Sequence, residues 1–314
     1  MRGRDVAVPA HQSNLFPAVA RPESEVGEWQ PHLRVDDLDR EPFKVINRPL
    51  LLCGDARAGL SLLPDESVQT VLTSPPYWSL RDYEVEDQIG RDDSLGAYLD
   101  AIVAVFEQIR RVLRSDGTVW LNVGDSYTSG NRRYRAPDRK NSARAMSVRP
   151  PTPSGLKPKD LIGVPWRLAF ALQDVGWWIR SEVIWHKPNA HPESVGDRPT
   201  KAHETLFLLS KQQDYYYDQQ AVKGPRDRRL RTVWDIPTEP LRRTNGSADD
   251  HPAMMPMTLA RRCLSITSRR NSVVLDPYAG SGTTLLAGRD LECAWVGIEI
   301  KPDFVDLIER RMRG

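Results

Sequence analysis

At Ser272–Leu275 a short apolar run stops and gives way to Asp276-Pro-Tyr-Ala-Gly-Ser-Gly-Thr-Thr284, beyond which helical periodicity begins. An apolar run this short, bounded by turn residues, reads as a strand covered on both faces, which belongs in a parallel sheet. Gly280 and Gly282 let the backbone turn tightly there and approach a ligand closely. The pattern recurs along the chain. Leu50–Gly54 ends at Asp55, and Val68–Thr73 ends in Ser-Pro-Pro. Further strands are expected at Thr118–Val123, Trp177–His186, Glu204–Leu209 and Trp295–Ile298. Helices are expected from about Leu95 to Arg114 (capped by Ser94 or Asp93), near Asp160–Val175, from about Met257 to Ser268, after Gly282, and from Pro302 onward. Alternating strands and helices predict an α/β fold, a mostly parallel sheet with helices on both faces.

Two irregular segments interrupt this order. Residues 131–159 hold nine Lys/Arg, one Asp and five Pro, a net +8, and residues 223–243 carry +4. The whole chain of 314 residues nets only +2, so the remainder is acidic by ten charges. Such a separation suits a basic surface outside an acidic core. Residues 1–42 show no sustained period and read as an N-terminal extension. Residues 43–314 read as one domain, with a basic insertion at 126–159 and a segment at 212–250 suited to reading sequence. No stretch approaches the ~18 apolar residues of a membrane span, and the first residues lack the apolar core of a signal peptide. The three cysteines form no C-x-x-C pair, which argues against zinc or disulfides and for a reducing cytoplasm.

The glycine-rich loop, Asp276, Pro277, Tyr278, Ala279, Gly280, Ser281, Gly282 and Thr283, lacks the Lys-[Ser/Thr] ending of a triphosphate-binding loop and the third glycine of a dinucleotide fingerprint. Glu299 ends the following strand, where a carboxylate accepts both hydroxyls of a ribose. An adenosine cofactor without phosphates suits this set, and S-adenosylmethionine is one. A bare strand–helix turn would need the same glycines. The second loop, Thr73-Ser-Pro-Pro-Tyr-Trp78, is fixed by consecutive prolines that remove two N–H donors. It presents the Ser74 hydroxyl and carbonyl acceptors beside the flat faces of Tyr77 and Trp78. Such a set holds an exocyclic amine through its hydrogens. The bland reading is a Pro-rich turn at a strand end.

Together the two loops resemble the amino-group DNA methyltransferases. Ser74, Pro75, Pro76 and Tyr77 match that family's catalytic motif, and Asp276 to Thr284 looks like its S-adenosylmethionine loop, with Asp276, Gly280, Gly282 and Thr283 at the matching positions. Glu299 matches the ribose acid. Asp55 looks like the acid placed near the cofactor adenine. The catalytic motif precedes the cofactor loop, the circularly permuted order of the beta subclass. The resemblance spans about Pro49 to Arg313 outside the basic segments. It implies a seven-stranded class I methyltransferase sheet, Rossmann-like, with one antiparallel strand. It further implies site-specific methylation of double-stranded DNA by base flipping and direct transfer, without a metal. Serine at the first motif position is linked to N4-cytosine, aspartate to N6-adenine. Carbon-5 methylation needs a thiolate nucleophile, and no Pro-Cys dipeptide exists.

Trp78, Lys187 and Asn189 are candidates to line the target-base pocket. Arg132, Arg133, Arg135, Arg139, Lys140, Arg228, Arg229 and Arg231 are candidates for DNA phosphate. His186, His191 and His203 fit no standard zinc spacing, so no metal site is expected. The chain has no evident nuclease site, so a restriction endonuclease acting on the same sequence would be a separate protein. A cytoplasmic monomer or homodimer is expected. The alternatives are N6-adenine methylation, methylation of an RNA base, and a non-catalytic DNA-binding module of the same fold.

Overall fold

The structure is a computed structural model that describes residues 32–38, 41–46, 48–78, 88–90, 94–128, 152–190, 192–193, 195–224, 227–239 and 254–313. In chain order its elements are β1 (Leu33–Arg34), β2 (Leu50–Cys53), α1 (Ala56–Ser61), β3 (Val68–Thr73), α2 (Leu95–Val112), β4 (Leu113–Val123), α3 (Val164–Asp174), β5 (Trp178–His186), β6 (His203–Ser210), β7 (Val233–Asp235), α4 (Met257–Thr267), β8 (Val273–Asp276), α5 (Thr283–Asp290), β9 (Ala294–Glu299) and α6 (Pro302–Arg313). All the strands join one sheet in the order β1-β2-β9-β8-β3-β4-β6-β5-β7. Among the described strands only β6 runs against its neighbours, β4 and β5.

The seven expected strands are all present, and the sheet has nine because a short strand is added at each edge. β1 is two residues long and β7 three, too short to leave a periodic trace. Both are held by backbone pairing, β1 to β2 and β7 to β5, and such short edges discourage pairing with other chains. Leu33 and Arg34 come from the segment read as an extension, so part of it belongs to the sheet. The expected strand at Thr118 begins earlier, at Leu113, because Leu113 is buried and pairs with Val68. α3 begins later than expected. Gly163, at φ 76°, turns the chain, and Pro165 sits in the first helical turn, where its missing N–H costs nothing.

Side-chain alternation sorts the core into two layers. Leu52, Val71, Val119, Leu121, Phe207, Leu275 and Ile298 pack with residues of α1, α2 and α3. Their neighbours Leu72, Trp120, Leu206, Leu208 and Val274 point the other way, onto α4 and α5. Leu51, Cys53 and Trp295 face α5 and α6. Successive strand residues alternate between faces, so apolar runs without a polar break are what a two-sided cover demands. α2 starts at Ser94, whose Oγ accepts the Ala97 N–H at 3.1 Å, and buries Tyr98, Ile102, Val105, Phe106, Ile109 and Val112 along one stripe. Arg111 at its end donates to the Leu60 and Leu63 carbonyls, tying α2 to the end of α1 and the chain just beyond it.

Gly297 lies in β9 where α5 crosses most closely. A Cβ there would sit 2.5 Å from Leu285 Cδ1 and 3.2 Å from Leu51 Cδ1. Gly297→Val should overpack this seam and cost about 1–3 kcal/mol, read as a lowered urea midpoint. An unchanged midpoint would show that the seam yields freely.

Candidate active site

β8 and β3 are parallel neighbours whose following helices lie on opposite faces of the sheet, α5 on one and α2 on the other. With the following helices on opposite faces, the carboxyl ends of these two strands form a switch point, the position where open α/β sheets bind ligands in a crevice. Two buried hydrogen bonds tie its two sides together at the base, one of them from Thr284 Oγ1 to the Leu72 carbonyl at 3.2 Å. Thr73 Oγ1 donates to Asp276 Oδ1 at 2.8 Å, and the Tyr278 N–H donates to the same oxygen at 3.1 Å. Asp276 is buried, and burial pushes its carboxyl up to about 6 against the pull of those donors.

The glycine loop folds as expected of it. Gly280 and Gly282 take positive φ, 52° and 78°, which favours glycine at both. Pro277, Ala279, Ser281 and Thr283 are buried, and Arg311 of α6 donates to the Ser281 carbonyl and to Thr283 Oγ1. Glu299, at the end of β9, accepts the Gly280 N–H at 2.8 Å and the Lys301 N–H at 2.9 Å. Burial pushes its carboxyl up to about 7, more than those two donors pull it down. The Tyr278 hydroxyl is buried without a hydrogen-bond partner. A buried hydroxyl left unsatisfied beside a carboxylate and a glycine turn is the donor set a polar ligand would complete. Asp55 caps α1, accepting the Arg57 and Ala58 N–H groups at 2.9 and 3.2 Å through Oδ1.

Ser74 to Tyr77 follow β3 directly. The Ser74 hydroxyl lies 3.4 Å from the Tyr77 hydroxyl, which donates to Glu204 Oε2 at 3.0 Å. Asn122 Nδ2 donates to both, at 2.8 Å to Tyr77 and 2.7 Å to Glu204, and Lys187 Nζ donates to Glu204 Oε1. The Tyr77 ring lies against Gly124, where a Cβ would come within 2.4 Å of it. Tyr98 of α2 donates to the Pro76 carbonyl at 3.0 Å. Burial alone would raise the Glu204 carboxyl. The Lys187 charge and the hydrogen bonds from Lys187, Asn122 and Tyr77 outweigh it and hold the group below the usual carboxylate range.

Lys187 therefore reaches this cluster, while two companions expected beside it do not. Trp78 is buried in the core below the loop, where a large ring gains more from packing than from lining an open pocket. Asn189 clamps Thr238 instead, accepting its N–H at 2.8 Å and donating to its carbonyl at 2.9 Å. Glu204, Asn122 and Gly124 escaped the sequence reading. The signal was a lone Glu opening an otherwise apolar strand, set beside a Lys on its antiparallel neighbour. Arg228, Arg229 and Arg231 are exposed just before β7. Arg132, Arg133, Arg135, Arg139, Lys140 and His191 lie outside the described residues. Among the described residues no group of three or more His, Cys, Asp or Glu is arranged to hold a metal ion, and no helix is long and apolar enough to cross a membrane.

Comparison with known proteins fits this geometry. A family model described as DNA methylase matches residues 68–310. The type II methyltransferase M.Cfr9I of Citrobacter freundii is 50% identical over 286 residues, covering 90% of this chain and 93% of its own. The type II methyltransferase M.SmaI of Serratia marcescens is 50% identical over 268 residues, covering 83% and 90%. Among solved structures, the PvuII DNA methyltransferase (cytosine-N4-specific) shares the fold with a TM-score of 0.64 at 20% identity, covering 83% of this chain and 85% of its own. A Thermus thermophilus protein described as a DNA modification methylase, complexed with S-adenosyl-L-methionine, gives 0.59 at 27% identity, covering 83% and 91%.

The raised Asp276 carboxyl has a consequence for stability. The folded chain keeps a proton there that the unfolded chain, with an ordinary value near 3.8, has already lost. Its contribution is therefore full below about pH 4 and declines as pH rises through 6. Asp276→Asn should remove that part of the slope in urea unfolding between pH 4 and 6. A variant with the wild-type slope would contradict the assignment.

Proposed function

The chain belongs to the DNA methylase family of N6- and N4-amino methyltransferases, and from that premise we propose that it methylates the exocyclic N4 amine of cytosine in double-stranded DNA, with S-adenosylmethionine as donor. The observation that carries the reading is the Thr73–Asp276 hydrogen bond, which ties an amine-accepting loop to a nucleoside-type glycine loop across one crevice. Glu299, the turn at Gly280 and Gly282, and the unsatisfied Tyr278 hydroxyl fit an adenosine cofactor. Bound there, S-adenosylmethionine supplies an electrophilic methyl group on a sulfonium sulfur.

In this reading Glu299 accepts the ribose hydroxyls and Asp55 borders the adenine. Asp276, Pro277, Tyr278, Ala279, Gly280, Ser281, Gly282 and Thr283 form the cofactor cradle. A base inside a duplex is out of reach, so the target is flipped into the crevice. Ser74 Oγ and the Pro75 carbonyl accept the two amino hydrogens, which favours a pyramidal amine whose lone pair faces the methyl group. Pro76 stiffens the loop and Tyr77 stacks on the base. Catalysis is positioning plus electrostatic stabilisation, with no covalent intermediate. The cysteines support direct transfer. All three are buried, and burial raises the thiols of Cys53, Cys263 and Cys293, the last to about 11.

The choice of cytosine rests on Ser74, a neutral acceptor where adenine-specific relatives are expected to carry a carboxylate. The domain assignment follows: residues 43–314 form the catalytic domain, and the basic insertion 126–159 and segment 212–250 engage DNA, with Arg228, Arg229 and Arg231 on phosphate. A restriction endonuclease of the same specificity would be its companion, since the close relatives are named as type II methyltransferases.

The direct test uses plasmid DNA and methyl-labelled cofactor, followed by digestion to nucleosides. Label is expected on N4-methylcytosine and should be lost with Ser74→Ala. Label on N6-methyladenine would overturn the base assignment, and a fully active Ser74→Ala would overturn the motif's role. Cofactor binding gives a second test. Glu299 must be ionised to accept the ribose, and its free-protein value is raised to about 7. Affinity should therefore rise by up to about tenfold between pH 6 and 8. A flat titration profile by calorimetry would remove Glu299 from the ribose.

A further inference from the structure

The pocket side of the catalytic loop ends in a chain of polar groups that runs from the motif residues Ser74 and Tyr77 to Glu204 and Lys187, with Asn122 at its middle, and the last three belong to neither loop motif. Alternation puts these residues on one face. Asn122 shares the parity of Trp120, Glu204 that of Leu206, and Lys187 that of Trp185, and those three apolar residues pack in one layer. Lys187 Nζ also lies 4.2 Å from the Trp185 ring centroid, which holds the ammonium in place from below.

The directions of these bonds are forced by chemistry. An ionised Glu204 only accepts, and both of its oxygens are engaged, Oε1 by Lys187 and Oε2 by Tyr77 and Asn122. The Tyr77 O–H, 3.0 Å from an oxygen that can only accept, donates to Glu204. The Tyr77 oxygen is left to accept, from Asn122 Nδ2 at 2.8 Å and from the Ser74 O–H at 3.4 Å. When the Ser74 O–H donates to Tyr77, the Ser74 oxygen is left with lone pairs to offer a target amine. Asn122 supports the same polarity, because Nδ2 donates to both the Tyr77 oxygen and Glu204 Oε2.

We propose that Glu204 is a positioning residue for methyl transfer: through Tyr77 it fixes the Ser74 hydroxyl as an acceptor, with Lys187 holding Glu204 in its charged, acceptor-only form. This rests on the role given above to Ser74, and it holds whichever amino base is the target. A neutral Glu204 would lose that control. Its amide or acid form can donate to the Tyr77 oxygen, the chain can reverse, and the Ser74 proton can then face the amine hydrogens it should receive.

The test is single-turnover transfer of labelled methyl to DNA by the full-length protein, for wild type, Glu204→Gln, Tyr77→Phe and the double variant. Cofactor and DNA dissociation constants and thermal midpoints are measured alongside. Glu204→Gln should slow transfer by about tenfold to a hundredfold, with both dissociation constants within about twofold of wild type. Tyr77→Phe keeps the ring and the Glu204–Lys187 pair and severs the same chain, so it should slow transfer comparably even where Glu204→Gln folds poorly. Because both act through one chain, the double variant should be no slower than the slower single variant. Wild-type transfer by both single variants, or losses that multiply in the double variant, would overturn the proposal while leaving the methyltransferase reading intact. A wild-type protein that labels no nucleic acid would overturn both.

Discussion

The 2.8 Å hydrogen bond from Thr73 to Asp276 joins the two halves of the site. It links the ends of adjacent parallel strands, at the place where their following loops turn to opposite faces. Each partner is buried, so the bond is shielded from water, and losing either partner would strand a buried polar group. Asp276 also receives the Tyr278 N–H and so sets the entry of the glycine loop. A single carboxylate thus registers two loops whose sequences lie about 200 residues apart. The sheet beneath supplies the rigidity. Val71 and Leu275, paired across the same two strands, are fully buried in the layer shared with α2.

The sheet was legible because its interior strands are covered on both sides and so carry unbroken apolar runs. The two edge strands were not, because two or three residues paired through their backbones demand no particular side chains. α1 was missed for a related reason. It is six residues long, and its start is marked only by Asp55, a residue with a second meaning. The two loops stood out since prolines and glycines constrain the backbone directly. What escaped was the support around them. Glu204, Asn122 and Gly124 converge from β6, β4 and the turn beyond it, and their roles exist only once those strands are side by side. Trp78 misled because an aromatic beside a catalytic loop reads alike whether its ring lines a pocket or fills the core.

Charge follows the same division between core and periphery. The interior carboxylates Asp276 and Glu299 are raised by burial, while Glu204 is held low by a lysine, so neighbouring acids in one crevice have opposite tendencies. The environment of each sets this difference, since all three side chains end in the same group. The exposed Arg228, Arg229 and Arg231 lie just before β7, the edge strand.

The reversed direction of β6 has a mechanical effect. Every other strand reaches the catalytic rim with its last residues, but β6 enters there and presents Glu204 almost at once. The connection between β5 and β6 therefore leaves and re-enters the sheet at this rim, and its neck is closed by the Lys187 N–H on the Ala202 carbonyl at 2.8 Å. That bond marks where the pairing of β5 with β6 ends. Insertions or deletions beyond the neck would reshape the entrance to the crevice without shifting the register of either strand, leaving a replaceable rim on a fixed frame.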